Sequence, residues 1–237
     1  MSKPFSIIII ELGDDATRRL KFWRQTLLRL ASNTLPGIAG ADHFGKELRG
    51  AAAVATMAEI ERLLREALVE LSIDINHAGV PISDLSPGLR ALASDAYFQA
   101  MSMSSKGDKH WDNRAIVTRL ETNMQIAKFP ARTSSTPQPP LDGKTIRASH
   151  FQRIWTVLDL DESAIPEANM EIALTAMSTM RNDVAHGNDP ISEIFHEQAS
   201  GKSAASIAEH ILQLTRLVDH FCLSLSSYAS ERKYRIT

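Results

Sequence analysis

The fold is decided by a long amphipathic segment near the end of the chain. Residues 203–230 read SAASIAEHILQLTRLVDHFCLSLSSYAS. Apolar residues recur there every three or four positions, which is the spacing of one face of an α-helix. They are Ile207, Ile211, Leu214, Val218, Phe221, Leu225 and Tyr228. The segment therefore predicts one long helix as the last element.

The same helical spacing occurs through most of the preceding chain. It predicts further helices over about residues 14–31, 44–75, 86–104, 148–158 and 167–186, and one that begins at Asp108 or Asp112 and reaches about residue 124. No internal repeat and no convincing alternation of apolar and polar residues is found, and residues 6–11 are the best candidate for a strand. The expected fold class is all-α, an irregular helical bundle.

Residues 127–146 are rich in proline. They contain Pro130, Pro137, Pro139 and Pro140. Proline removes a backbone donor and breaks regular helices, so this segment predicts a long exposed loop. We place the loop inside one helical domain, residues 41–237. Residues 1–40 then form an N-terminal extension built on a basic helix.

Composition excludes several classes of protein. The 237 residues are 43% hydrophobic and 23% charged with a net charge of −2, which is typical of a globular protein. A strongly basic nucleic-acid-coating protein is excluded, although a local basic patch is not. Cys222 is the only cysteine, which excludes a disulfide framework and a cysteine-based zinc site.

No apolar run is long enough for a signal peptide or a membrane span, which need about 7–15 and about 20 residues. We therefore expect a soluble cytoplasmic protein that does not bind a membrane. The histidines do not cluster at metal-ligand spacing, and the expectation is that no metal and no cofactor are needed.

One segment carries the residues of a chemical site: residues 180–187 read MRNDVAHG. Arg181 follows Met177 by four positions and so points to the edge of the apolar stripe of its helix. A charge beside apolar surface needs a partner. An anionic ligand, a carboxylate or a subunit interface could each supply that partner.

His186 stands at the predicted end of this helix, before Gly187, and shares a face with Asn182. Histidine titrates near neutral pH, which suits proton transfer. Arg181 and His186 lie about 140° apart on an ideal helix. For both side chains to contact one ligand, either the last turn of the helix opens, or two subunits together build one site. A helix end with ordinary polar capping explains the same residues.

Residues 181–186, RNDVAH, resemble the signature of HEPN domains: arginine, a polar residue, three variable residues, then histidine. The early long helix with residues 48–54 and 59–62, followed by the motif helix, a polar gap and a final helix, resembles the RiboL-PSP-HEPN group. The resemblance implies an all-α protein, commonly a homodimer whose two motifs face each other.

For activity, the resemblance implies a metal-independent endoribonuclease that cleaves RNA by attack of the 2′-hydroxyl. Arg181 and His186 would be catalytic, with Asn182 as the supporting polar residue. Such proteins act as toxins or phage-defence effectors, so a cognate antitoxin or regulatory protein is a possible partner. Two alternatives stay open: a noncatalytic HEPN module that binds RNA, a nucleotide or a protein, and a structural subunit in which Arg181 closes an interface.

Basic residues outside the motif offer an RNA-docking surface. Those proposed to bind substrate are Arg18, Arg19, Arg24, Lys109 and Arg114. Trp111 lies near the second group and could stack on a base. The alternative is that these residues form ordinary solvated helix faces, with Trp23 and Trp111 packed in the core.

Overall fold

The computed structural model describes residues 3–37, 42–103, 108–131, 137–187, 189–196 and 200–236. Within these ranges the protein has nine α-helices, two short 3-10 helices and no β-strand. The predicted all-α fold is confirmed. The α-helices are α1 (Phe5–Ala31), α2 (His43–Ala78), α3 (Pro87–Ala93), α4 (Asp95–Met103), α5 (Asp108–Val117), α6 (Ala148–Leu158), α7 (Ala168–His186), α8 (Ile191–Ile194) and α9 (Ala204–Ser230).

Four long helices, α1, α2, α7 and α9, build the centre of the bundle. Helix α1 lies along both α9 and α2, and α7 packs against the same two helices. Contacts from Ser6 to Ser226 and from Thr17 to Asp219 show that α1 and α9 run antiparallel. Every residue of the predicted α9 stripe is buried, so this helix supplies the spine of one continuous core.

The close approach of α1 to α9 requires a glycine. A Cβ added at Gly13 would stand 2.7 Å from the Sγ atom of Cys222. Carbon and sulfur do not come that close, so a larger residue at position 13 would force the buried Cys222 side chain to move. Burial also raises the pKa of the Cys222 thiol to about 12, which keeps this sulfur protonated and unreactive.

The prediction for residues 6–11 was wrong: they are helical, because α1 begins at Phe5. Phe5, Ile9, Gly13, Ala16 and Leu20 are buried and recur at helical spacing. The run of four isoleucines hid this pattern, since Ile7 is exposed while Ile9 is fully buried. Helix α1 therefore shares the core of the rest of the chain, and a domain boundary near residue 40 stays a prediction.

Two further expectations need correction. The helix predicted over residues 86–104 is two helices, α3 and α4, that are separated at the buried residue Ser94. Residues 127–146 contain no described helix or strand, but they are not simply exposed. Phe129, Gln138 and Ile146 are buried, and both backbone polar groups of Phe129 bond to the Asn76 amide of α2. The Ser/Thr run at 133–136 lies outside the described residues.

Among the helices that the structure describes, none combines the length and the apolar character needed to cross a membrane.

Leu20→Ala should lower the free energy of unfolding by about 2–5 kcal/mol, because Leu20 is fully buried where α1 meets the core. Leu28→Ala on the same helix is the matched control: Leu28 is 40% exposed, and its truncation should cost about 0.5 kcal/mol or less. Urea denaturation measures both. Equal losses would show that α1 does not fold as part of the core.

Candidate active site

Helix α7 holds the motif, and its apolar face fixes how the motif is presented. Met170, Ala173, Met177 and Met180 are buried, as the sequence predicts. The helix stays regular through His186, so its last turn does not open. It ends at Gly187, whose φ of 61° lies in the left-handed region that glycine adopts readily.

Arg181, Asn182 and His186 line one open cleft of about 630 Å³. The other wall is the segment 142–150, from the end of the proline-rich loop to the first turn of α6. A cleft of this size accommodates both side chains although they point in different directions from α7. Within a single chain, the arginine and the histidine therefore border the same open space.

The Arg181 guanidinium is half-buried and has no carboxylate partner among the described residues. Its contact with a protein acceptor is a long hydrogen bond of 3.4 Å from Nη1 to Oδ1 of Asn182. Of the three partners that the sequence left open, an intrachain carboxylate is therefore not found in the described part of the chain. An anionic ligand or a second subunit remains.

Asn182 connects the two walls of the cleft. Its Oδ1 atom accepts a hydrogen bond of 2.8 Å from the Thr145 hydroxyl in addition to the contact from Arg181. One turn earlier, the buried Ser178 hydroxyl donates to the carbonyl of Ile146 at 2.6 Å. These two bonds fasten residues 145 and 146 to α7.

A buried histidine holds the other end of this wall. Nδ1 of His150 accepts the backbone N–H of Arg147 at 3.1 Å, so the ring proton lies on Nε2. Nε2 then donates to Oδ1 of Asp142 at 2.9 Å. This hydrogen bond is the largest of the effects that hold the pKa of Asp142 down to about 2, with the Lys144 backbone N–H and Arg153 adding to it.

The charged side chains around the cleft are mostly cationic. The lining includes three cationic side chains, Lys144, Arg147 and Arg181, and one carboxylate, that of Asp142. That carboxylate is already held by His150 and lies 3.7 Å from the Arg153 guanidinium. The cleft therefore has an excess of positive charge, which favours an anionic ligand.

Asp183, to which the resemblance gives no role, pairs with Lys202 at 3.1 Å. Lys202 lies just before α9, and its backbone carbonyl accepts a hydrogen bond of 2.9 Å from the buried Arg49 of α2. The other arm of Arg49 donates to the carbonyl of Phe195 at 2.7 Å. Asp183 is thus part of the framework that holds the end of α7.

None of the five basic residues predicted to bind substrate lines this cleft. Arg19 bonds to Asp15 and Glu59, and Arg62 joins the same two carboxylates. The Glu59 carboxylate raises the pKa of Arg62. Arg19 is thus engaged in ion pairs within the protein. The Arg18 guanidinium lies 3.4 Å from the Asp15 carboxylate, and Arg24 is half-buried.

The second basic group lies on α5. Trp111 is 67% exposed, so the expectation that it packs in the core was wrong, whereas Trp23 packs against the core. The Arg114 guanidinium lies 4.9 Å from the centre of the Trp111 ring, and Lys109 is exposed nearby. A role for these residues in binding RNA stays a prediction.

Sequence reasoning missed the wall formed by residues 142–150. Asp142, Lys144, Arg147 and His150 fall within nine positions, and this density of charged and ionisable residues before a helix was the available signal. Their closeness to Arg181 depends on how the loop packs, which no local pattern encodes. The described residues contain no cluster of three or more histidine, cysteine or acidic side chains able to hold a metal.

The fold and the cleft together define an all-α protein with an arginine and a histidine presented at the end of a core helix. A family model described as MAE_28990-like HEPN matches residues 65–234, more than half of the chain. The chain belongs to the HEPN superfamily, as its sequence predicts. No curated protein and no solved structure matches it significantly. HEPN domains are often ribonucleases, so membership suggests a ribonuclease or nucleotide-related function.

Asp142→Asn should destabilise the protein in a pH-dependent way. The folded-state pKa of Asp142 is about 2 and its ordinary value is 3.8, so the carboxylate stabilises the fold above about pH 4. This contribution is lost as the pH falls from about 4 to about 2. The difference in unfolding free energy between wild type and variant should therefore be constant near neutral pH and shrink in that window.

Urea denaturation across a pH series measures this difference. Asp161→Asn, which removes one exposed carboxylate outside the cleft, is the control. Identical pH profiles for the two variants would show that His150 does not hold Asp142 in solution.

Proposed function

We propose that this protein is a metal-independent endoribonuclease. The observation that carries the proposal is the shared cleft, in which Arg181 lacks a carboxylate partner among the described residues and faces the same space as His186. A guanidinium with free donors is suited to bidentate binding of a phosphate. The exposed imidazole of His186 lines the same cleft and is the type of group that acts as a general acid or base.

RNA provides the chemistry that these two groups can promote. A base removes the proton of the 2′-hydroxyl, and the resulting oxygen attacks the adjacent phosphorus. The bond from phosphorus to the 5′-oxygen breaks as that oxygen takes up a proton. The products are a 2′,3′-cyclic phosphate and a 5′-hydroxyl, so no water or metal enters this step.

Each cleft residue has a part in this scheme. His186 transfers a proton at the 2′- or 5′-oxygen. Arg181 binds the non-bridging oxygens and stabilises the negative charge that builds on them. Asn182 is a supporting residue, because its Oδ1 atom accepts from Arg181 and orients the guanidinium. One cleft contains one such histidine, so a second proton-transfer group has to come from elsewhere.

The second group would come from another copy of the chain. We propose a homodimer in which two clefts face each other and each His186 serves as acid or base for the shared site. Sedimentation equilibrium tests this point, because the expected mass is twice that of one chain. The biological role proposed with it is a toxin or phage-defence effector, restrained by a cognate antitoxin or regulatory protein.

Arg181→Ala should lower the cleavage rate about 10²–10³-fold, because it removes the donors that stabilise the charge of the transition state. His186→Ala should lower it about 10²–10⁴-fold through loss of proton transfer. The assay is single-turnover cleavage of a labelled mixed-sequence RNA in EDTA, with circular dichroism as the test of folding.

Matched controls are available on the same chain. Arg29→Ala and His196→Ala remove an exposed arginine and an exposed histidine outside the cleft and should leave the rate unchanged. The DNA oligonucleotide of the same sequence lacks the 2′-hydroxyl and should survive. Equal cleavage by wild type and both cleft variants would contradict the proposal, and RNA binding without any cleavage would favour a noncatalytic HEPN module.

A further inference from the structure

The segment 142–147 forms a cationic rim on the side of the cleft opposite α7. Lys144 and Arg147 are exposed on it, and neither forms an ion pair within the described part of the chain. Together with Arg181 they make three cationic side chains that line one cleft, and like charges gathered in a cleft attract an anion. These cations are therefore available to an anionic ligand that enters the cleft.

The rim is held in place on both sides. Thr145 bonds to Asn182, and the Ile146 carbonyl accepts from Ser178, so the middle of the rim is fastened to the motif helix. Asp142 bonds to the buried His150 of α6. The charged side chains alternate with these anchoring residues, which fixes the backbone while Lys144 and Arg147 stay free to bind.

Catalytic groups alone do not bind a chain of nucleotides. Arg181 and His186 act on one phosphodiester, whereas an RNA strand carries a negative charge on every neighbouring nucleotide. The carboxylate in this cleft, Asp142, is directed to His150 and Arg153. The remaining charge of the rim is therefore available for a second phosphate.

We propose that residues 142–147 form the substrate-binding rim of the Arg181/His186 cleft, with Lys144 and Arg147 binding the backbone phosphate next to the one that is cleaved. This inference rests on the proposed ribonuclease function and adds to it the residues that bind and place the strand. Thr145 is a positioning residue, since its hydroxyl holds the rim to Asn182.

The test compares two double variants that remove equal charge. Lys144→Ala/Arg147→Ala removes the rim cations. Lys128→Ala/Arg29→Ala removes one exposed lysine and one exposed arginine that do not line the cleft. Both are built on His186→Ala, so that a labelled single-stranded 20-nucleotide RNA is bound and not cleaved, and Kd is measured by fluorescence anisotropy over a range of salt concentrations.

The rim variant should raise Kd at low salt at least tenfold, and the control variant less than threefold. For the rim variant, the slope of log Kd against log salt concentration should also be smaller. The expected decrease is about 0.7 for each phosphate of the single strand that the protein no longer neutralises. Equal changes in both double variants, or no change in either, would overturn the inference, because binding would then depend on overall charge or on another surface.

The role of Thr145 is tested with cleavage-competent protein. Thr145→Val removes the hydroxyl and should lower kcat/KM about tenfold, while Thr145→Ser keeps the donor and should restore most of it. Equal effects of valine and serine would show that the hydrogen bond to Asn182 does not position the rim.

Cleavage kinetics separate the two ways of failing. If Arg181→Ala abolishes cleavage but Lys144→Ala/Arg147→Ala leaves KM unchanged, the rim inference fails and the proposed function stands. If wild-type protein binds RNA through the rim but never cleaves it, the rim stands and the nuclease fails. Wild-type protein that binds no RNA would overturn both.

Discussion

A buried guanidinium organises the segment that follows the motif helix. Arg49 is only 4% exposed, and a charge removed from water to that extent must be matched by well-placed acceptors. Its acceptors include the carbonyls of Phe195 and Lys202, at the two ends of the segment that follows α8, and its guanidinium lies over the Phe195 ring at 5.9 Å. Lys202, once fixed, pairs with Asp183 in the last turn of α7. Arg49 of α2 is thus connected through Lys202 to the last turn of the motif helix, and this connection adds to the burial of the apolar face of α7.

Local patterns predicted the helices well because α-helices are specified by neighbouring residues. The bounds of α6, α7 and α9 follow from apolar spacing together with Ser203 and Gly187 at their ends. The same reasoning failed for residues 6–11, where a run of β-branched residues outweighed the spacing that continues from Phe5 to Leu20. Packing on α9 decides that segment, since tertiary contacts override weak local preference.

The site was predictable only in part, for a related reason. Arg181, Asn182 and His186 are close in sequence, so their positions on α7 could be worked out from helix geometry alone. Thr145, which bonds to Asn182, and Asp142 of the facing wall come from a proline-rich loop that looked exposed. That loop is held by Asn76 and Ser178, which lie on two different helices. Only the assembled fold brings these groups together.

The contrast between whole-chain and local charge explains why composition says little about this cleft. The chain has a net charge of −2, yet its cleft gathers three cations around one carboxylate. That carboxylate is stabilised by the Nε2–H donor of His150, whose other nitrogen is fixed by the Arg147 backbone. His150 is buried, and both of its ring nitrogens are hydrogen-bonded within the protein. It therefore cannot act as a second proton-transfer group without breaking the turn that starts α6. This constraint favours His186 over His150 as the reactive imidazole of the proposed nuclease.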